Sequence, residues 1–219
     1  MQILFEDNYL LALNKLAGLS SESGASRHPS AETWAQDYLL EKIKQRAGVA
    51  SPKKPPFVRV AHRLDRPTSG VLLFAKTKAA LTHLMAQFEE RSVEKTYRAV
   101  AEQVPEPASG ILRHWLKRSP DGRSALVFDQ EVADAQICTL HYRVLEKMAL
   151  GAKLEIEPET GRFHQIRAQL AHSGWPIAGD VQYGAHAWLP HQLKLHACRL
   201  SLLHPKSGEA MVIAAPEPW

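Results

Sequence analysis

The sequence predicts an α+β fold, with a central sheet of mixed but mostly antiparallel strands flanked by helices. Three observations carry this prediction. Short apolar or alternating runs outnumber helical repeats, several runs are joined by tight-turn residues, and only three stretches place apolar residues at helical spacing.

In chain order, Ile3–Glu6 and Tyr9–Leu13 flank Asp7-Asn8, two residues that tolerate a tight turn, and predict a hairpin. Asn14 to Leu19 leaves the sheet, and the Ser-rich stretch 20–29, with Gly24 and Pro29, predicts a surface loop. Ser30 is a suitable N-cap for an amphipathic helix through Trp34, Tyr38, Leu39 and Ile43 that ends near Gly48. Residues 48–56 hold three prolines and two lysines and predict a stiff basic connector. The extended run Phe57–Val60 and the apolar run Val71–Phe74 are strands on either side of a turn. Thr77 caps a helix whose core stripe is Leu81, Leu84, Met85 and Phe88.

Further strands are expected at Lys95–Val100, Ile111–Lys117, Ser124–Phe128, Gln136–Leu145 and Lys153–Glu157, with a turn at Asp121-Gly122. From Thr160-Gly161 the period changes, and Phe163, Ile166 and Leu170 mark a short helix ending near Gly174. Arg167 falls at the edge of that stripe, where a guanidinium either reaches solvent or meets an anion. Pro176 to Gly184 is rich in turns, and Leu195–Leu203 and Met211–Ala215 are terminal strands around Pro205–Gly208. There is no internal repeat.

A chain of 219 residues can bury a proper core, and the simplest organisation is one domain, 1–219, with two small lobes as the alternative. The net charge of +4 is modest, but its distribution is uneven. Between Lys42 and Arg66 eight cations (Lys42, Lys44, Arg46, Lys53, Lys54, Arg59, Arg63, Arg66) face one acid, Asp65. Arg113, Lys117, Arg118 and Arg123 form a second cluster against Asp121 alone. Each is either a solvated face or a phosphate-binding surface. Cys138 and Cys198 are expected to be reduced thiols, and the start of the chain becomes charged too early for a secretory signal. No apolar run approaches membrane-spanning length, so the expected location is cytoplasmic and the expected state monomeric.

The nine residues His62 to Gly70, His-Arg-Leu-Asp-Arg-Pro-Thr-Ser-Gly, are expected to connect two strands without belonging to either. Pro67 disfavours helix at Arg66, and Gly70 permits a sharp exit. Asp65 sits between Arg63 and Arg66, whose charges favour its ionised form. On residue type alone it is a nucleophile or base, a brace for the turn, or an offset for neighbouring charge.

Four blocks, Asn14-Lys15 to Leu19, His62 to Gly70, Lys95-Thr96-Tyr97 and Gly161 to Arg167, together resemble the motifs of the RluA-type pseudouridine synthases. Pro176 to Tyr183 and Leu195-His196-Ala197 extend the resemblance over most of the chain. It departs at Leu16, where the family usually has proline, and no separate N-terminal RNA-binding domain is expected. The resemblance implies a pseudouridine-synthase-like catalytic fold with an RNA-binding cleft across the sheet, and isomerisation of selected uridines in structured RNA, ribosomal or transfer, without a cofactor. It further implies Asp65 as the catalytic carboxylate, Arg167 as its ionic partner and Tyr97 as the ring against the target base. His62, Arg63, Arg66, Arg162, His164 and Gln165 are then substrate-binding residues. Asp65 either attacks C1′ or removes a proton from C2′. The rival reading is a non-catalytic RNA-binding or RNA-remodelling module, which has no use for a carboxylate aimed at phosphates.

Other chemistries find little support. The spacings of His164 with His172 and of His191 with His196 do not suit a metal, so no metal site is expected. In His-Arg-Leu-Asp the extra Leu64 displaces Asp65 from its place in a kinase catalytic loop, and no glycine-rich phosphate loop precedes it.

Overall fold

The computed structural model describes residues 1–24, 29–47, 55–186 and 192–219. Parts of the expected 20–29 loop and 48–56 connector, the helix end near Gly48, Lys53, Lys54 and His191 lie outside the described residues. The architecture is α+β and divides into two compact units, Met1–Val93 with Arg199–Pro216, and Glu94–Cys198 with Glu217–Trp219.

In the first unit, β1 (Gln2–Glu6) and β2 (Leu10–Lys15) form the expected antiparallel hairpin. The Asp7 carboxylate closes its turn by accepting the N–H groups of Tyr9 at 2.8 Å and Leu10 at 2.6 Å. Helix α1 (Ala31–Ala47) starts at Ser30, whose Oγ accepts the Thr33 N–H at 3.1 Å while Thr33 Oγ1 accepts the Ser30 N–H at 2.9 Å. Ala31, Ala35 and Leu39 make its buried stripe, whereas Trp34 and Tyr38 stack on one another at its edge. Strand β3 is only Arg59–Val60, shorter than the expected run from Phe57.

Strand β4 (Ser69–Ala75) is buried along its whole length, and it pairs antiparallel with β2 from Gly70 to Ala75 and with β3 at Phe74 and Ala75. It includes Ser69 and Gly70, which the sequence assigned to the connection, so the turn proper is His62 to Thr68. Helix α2 (Lys78–Glu89) is capped by Thr77, whose Oγ1 accepts the Ala80 N–H at 3.1 Å. Its inner stripe is Ala80, Leu84, Leu81 and Phe88, not Met85 as expected; Met85 lies one residue round from Leu84 and is 56% exposed.

The second unit is an antiparallel ladder in the order β5-β9-β8-β6-β7, with strands Glu94–Ala101, Ala152–Pro158, Gln136–Lys147, Ser109–Arg118 and Ala125–Phe128. The Asp121-Gly122 turn joins β6 to β7, with Gly122 at φ +69° and its N–H on the Ser119 carbonyl at 2.8 Å. Helix α3 (Gln165–His172) packs against β6 and β7 and is buried from Gln165 to Leu170. Phe163 is not part of it. His164 has a left-handed backbone, φ 53°, which stops the helix from extending back to the expected start. Strand β10 (Leu195–Leu203) passes from this unit into the first, where Arg199 to Leu203 pair antiparallel with β11 (Ala210–Ala214).

Cys138 and Cys198 are both free thiols, as expected. No described helix is long and apolar enough to cross a membrane.

Candidate active site

In the first unit the candidate site is the turn carrying Asp65, and it is clamped from below. Lys15, the last residue of β2, has no exposed surface, and its ammonium donates to the carbonyls of Leu19 (2.7 Å), Leu16 (3.0 Å) and Arg66 (3.2 Å). Three donors meet three acceptors, which compensates much of the cost of burying the charge. Burial pulls the Lys15 pKa down to about 8, and the negative charge of Asp65 acts against that fall. The Gly18 N–H and the Arg66 Nε complete the clamp, the first donating to the Arg66 carbonyl and the second to the Gly18 carbonyl, each at 2.8 Å.

On the other side of the turn, Ser21 Oγ accepts the Leu64 N–H at 3.0 Å and donates to the Leu64 carbonyl at 2.8 Å. The Thr68 N–H reaches the Asp65 carbonyl at 3.0 Å, so the backbone is tied before, at and after the carboxylate. Asp65 itself is half-buried. His62 Nε2 accepts the Leu73 N–H at 3.2 Å and therefore carries no proton, and its ring stacks on Phe88. Arg63 is exposed and paired with Glu22 at 2.6 Å.

The first basic cluster is less basic than its sequence. Lys42 pairs with Glu6, Lys44 with Glu41, Arg59 with Glu32 and Arg63 with Glu22. Glu6, Glu32 and Glu22 come from elsewhere in the chain, where a local charge count misses them. Among the described residues, Arg113, Lys117, Arg118 and Arg123 of the second cluster form no ion pair.

In the second unit the site residues gather around α3. Arg167 is only 3% exposed and makes a two-pronged pair with Asp180, Nε to Oδ2 and Nη2 to Oδ1, both at 2.7 Å. Its Nη2 also donates to Gln182 Oε1 at 2.9 Å, and its guanidinium carbon lies 5.0 Å from the Tyr183 ring centre. Of the two fates open to this residue in the sequence, it therefore meets an anion.

Tyr183 Oη accepts the Ala125 N–H at 2.8 Å and lies 2.9 Å from His164 Nδ1. Burial, helped by the Arg167 charge, lowers the His164 pKa to about 4, so its ring is neutral at pH 7. Gln165 Oε1 accepts from Thr160 Oγ1 (2.7 Å) and the Arg162 N–H (3.0 Å), and its Nε2 donates to the Thr139 carbonyl (3.1 Å). Its carboxamide thus braces the turn that carries Arg162 and His164. Tyr97 lies on β5 opposite Ile156, half-buried against the core of this unit.

The structure thus groups His62, Arg63, Asp65 and Arg66 in the first unit and Arg162, His164, Gln165 and Arg167 in the second. Sequence reasoning missed Lys15, Ser21, Asp180, Gln182 and Tyr183 as individual site residues. A lysine closing an apolar strand was the available signal for Lys15; nothing local marked Ser21 or Asp180.

The family model described as RNA pseudouridylate synthase matches residues 9–172, and the chain belongs to this family, as its resemblance to the RluA-type enzymes implied. It is 32% identical to a tRNA pseudouridine synthase C of Vibrio cholerae, with 98% of this chain and 90% of that protein covered. A ribosomal large subunit pseudouridine synthase D of Neisseria meningitidis is 33% identical over the whole chain, and an uncharacterized RNA pseudouridine synthase of Synechocystis sp. is 34% identical. The chain spans 58% and 66% of the lengths of these two relatives. Among solved structures, human RNA pseudouridylate synthase domain containing 4 matches 99% of this chain and 88% of its own with a TM-score of 0.75 at 26% identity.

Proposed function

We propose that this protein isomerises selected uridines in structured RNA to pseudouridine, acting in the cytoplasm as a monomer and with both units serving one catalytic domain. The observation that carries the reading is the Asp65 turn, a carboxylate held on backbone fixed by Lys15, Gly18 and Ser21. A merely solvated acid has no need of such support, whereas a reacting group gains from being held still. In the reaction the N1–C1′ bond breaks, the base turns, C5 bonds to C1′, the C5 proton leaves and N1 gains one. Asp65 serves either by attacking C1′ or by taking a proton from C2′. Tyr97 and Arg167 act with it, Tyr97 as a face for the base and Arg167 as a fixed positive charge.

Reaching a uridine in folded RNA requires unstacking it, at a cost of a few kcal/mol. Stacking on an aromatic face such as Tyr97 returns about 1–3 kcal/mol. Relatives named for ribosomal and for transfer RNA both support an RNA substrate, and a map of pseudouridines in cellular RNA with and without the gene identifies which. The decisive variant is Asp65→Asn. It is expected to form no pseudouridine while binding RNA nearly as well as the parent, and equal turnover by the two proteins refutes the assignment.

A further inference from the structure

The β6–β7 hairpin and the turn before α3 enclose a pocket of about 380 Å³ that the proposed chemistry does not use. Lys117, Arg118 and Arg162 line it together with Phe163, and Asp134 is its one acid. The Arg118 guanidinium carbon lies over the Phe163 ring, 4.0 Å from its centre, and Phe163 stacks in turn on His164 at 3.8 Å and 18°. Three flat groups are therefore layered, with the exposed Arg118 outermost.

Two features distinguish this stack from ordinary packing. Arg118 and Arg162 have no ion pair among the described residues, although they share one pocket, and the Nε of Arg162 is buried without a hydrogen-bond partner. A buried guanidinium N–H left unpaired is costly unless an anion arrives to take it. The Lys117 ammonium turns to the Phe128 ring and the Ala133 carbonyl on the other face of the hairpin. A planar cation backed by an aromatic ring suits the face of a nucleobase, and the neighbouring Arg162 suits its phosphate.

We propose that this pocket is a second nucleotide site. It takes a single-stranded ribonucleotide of the substrate RNA other than the uridine being isomerised, with the base on Arg118 and the phosphate on Arg162. The site rests on the reading of the protein as an RNA enzyme, but its binding is measurable apart from catalysis. Stacking on a guanidinium is available to every base, so it adds affinity and register more than sequence choice.

The test uses the full chain and fluorescein-labelled octauridylate at about 50 mM salt, where phosphate contacts are strong. A matched oligomer of abasic ribose phosphates serves as the second probe. Arg118→Ala is expected to weaken octauridylate binding about tenfold, as loss of one stacked base does. Arg118→Lys, which keeps the charge and loses the plane, is expected to bind the abasic oligomer like the parent but octauridylate several-fold more weakly. Arg162→Ala is expected to lower the salt slope by about one.

Parent-like octauridylate binding by both Arg118 variants overturns the site, and so does failure of the parent to bind octauridylate at all. An equal loss on both probes with Arg118→Lys overturns the stacking. Pseudouridine formation measured in parallel separates the two readings. If the parent modifies RNA while the Arg118 variants bind unchanged, only the pocket is lost; if no RNA is modified while Arg118→Ala loses octauridylate, only the catalytic reading is.

Discussion

The Lys15 ammonium lies 3.2 Å from the carbonyl oxygen of Arg66, tying the end of the first hairpin to the residue that follows Asp65 across 51 positions of sequence. The same ammonium holds the carbonyls of Leu16 and Leu19, so one buried charge organises both segments that flank the carboxylate. The family's proline is absent at position 16, where Leu16 is 60% exposed, and this clamp fixes the backbone there without it.

Replacing Lys15 with methionine fills the space but takes the ammonium from the Leu16 and Leu19 carbonyls, while the Arg66 carbonyl keeps the Gly18 N–H. The expected result is a loss of about 2 kcal/mol of stability in urea unfolding. Movement of the Asp65 turn is expected to lower kcat/KM about a hundredfold. The parent has its own signature. Its Lys15 pKa of about 8 predicts that activity declines above about pH 8 as the ammonium loses its proton and the clamp loosens. Stability follows a different course, because the unfolded lysine keeps its proton to a higher pH than the folded one. Between the folded and unfolded pKa values the contribution of this group to stability therefore rises with pH. An alkaline limb that persists unchanged in Lys15→Met would assign it to another group.

Arg167 and Asp180 are buried partners, and removing Arg167 takes both prongs of the pair from the buried Asp180 carboxylate. Arg167→Met alone is expected to cost about 3–5 kcal/mol. Arg167→Met with Asp180→Leu together is expected to recover much of that stability, yet to remain inactive if Arg167 acts in catalysis. Chemical denaturation of the single and double variants measures the coupling, and an active double variant removes Arg167 from the proposed machinery.

His164 is expected to stay neutral down to about pH 4. Its ring proton resonances are then constant from pH 8 to pH 5.5 in an NMR titration, where an ordinary histidine moves. Because its folded pKa lies below its unfolded value, its contribution to stability is complete above the unfolded value and is lost as pH falls towards 4. In Arg118→Ala, which removes one nearby positive charge, the pKa is expected to move upwards; a midpoint near 6.5 in the parent contradicts the burial argument.

Local signals in the sequence were enough for much of the fold. Asp7-Asn8 marks the first hairpin, Thr77 the cap of α2, and the period change after Thr160 the arrival of α3. Each depends on neighbours within a few residues, which a sequence displays directly. The errors have the same origin: apolar spacing placed Met85 inwards and Phe163 in the helix, but one helical step turned Met85 to solvent and a left-handed His164 excluded Phe163.

By itself, the sequence determined the family, the order of the elements and the identity of Asp65, Tyr97 and Arg167 as the residues to watch. Only the tertiary structure decided that Lys15 and Ser21 hold the Asp65 turn, that Asp180 grips Arg167, and that Lys42, Arg59 and Arg63 of the first basic cluster are paired with distant carboxylates. Those outcomes depend on pairs separated by 13 to 51 positions, such as Arg167 with Asp180 and Lys15 with Arg66. Charge and hydrogen bonding act over a few ångströms of space, and sequence spacing does not report which distant groups folding brings within that reach.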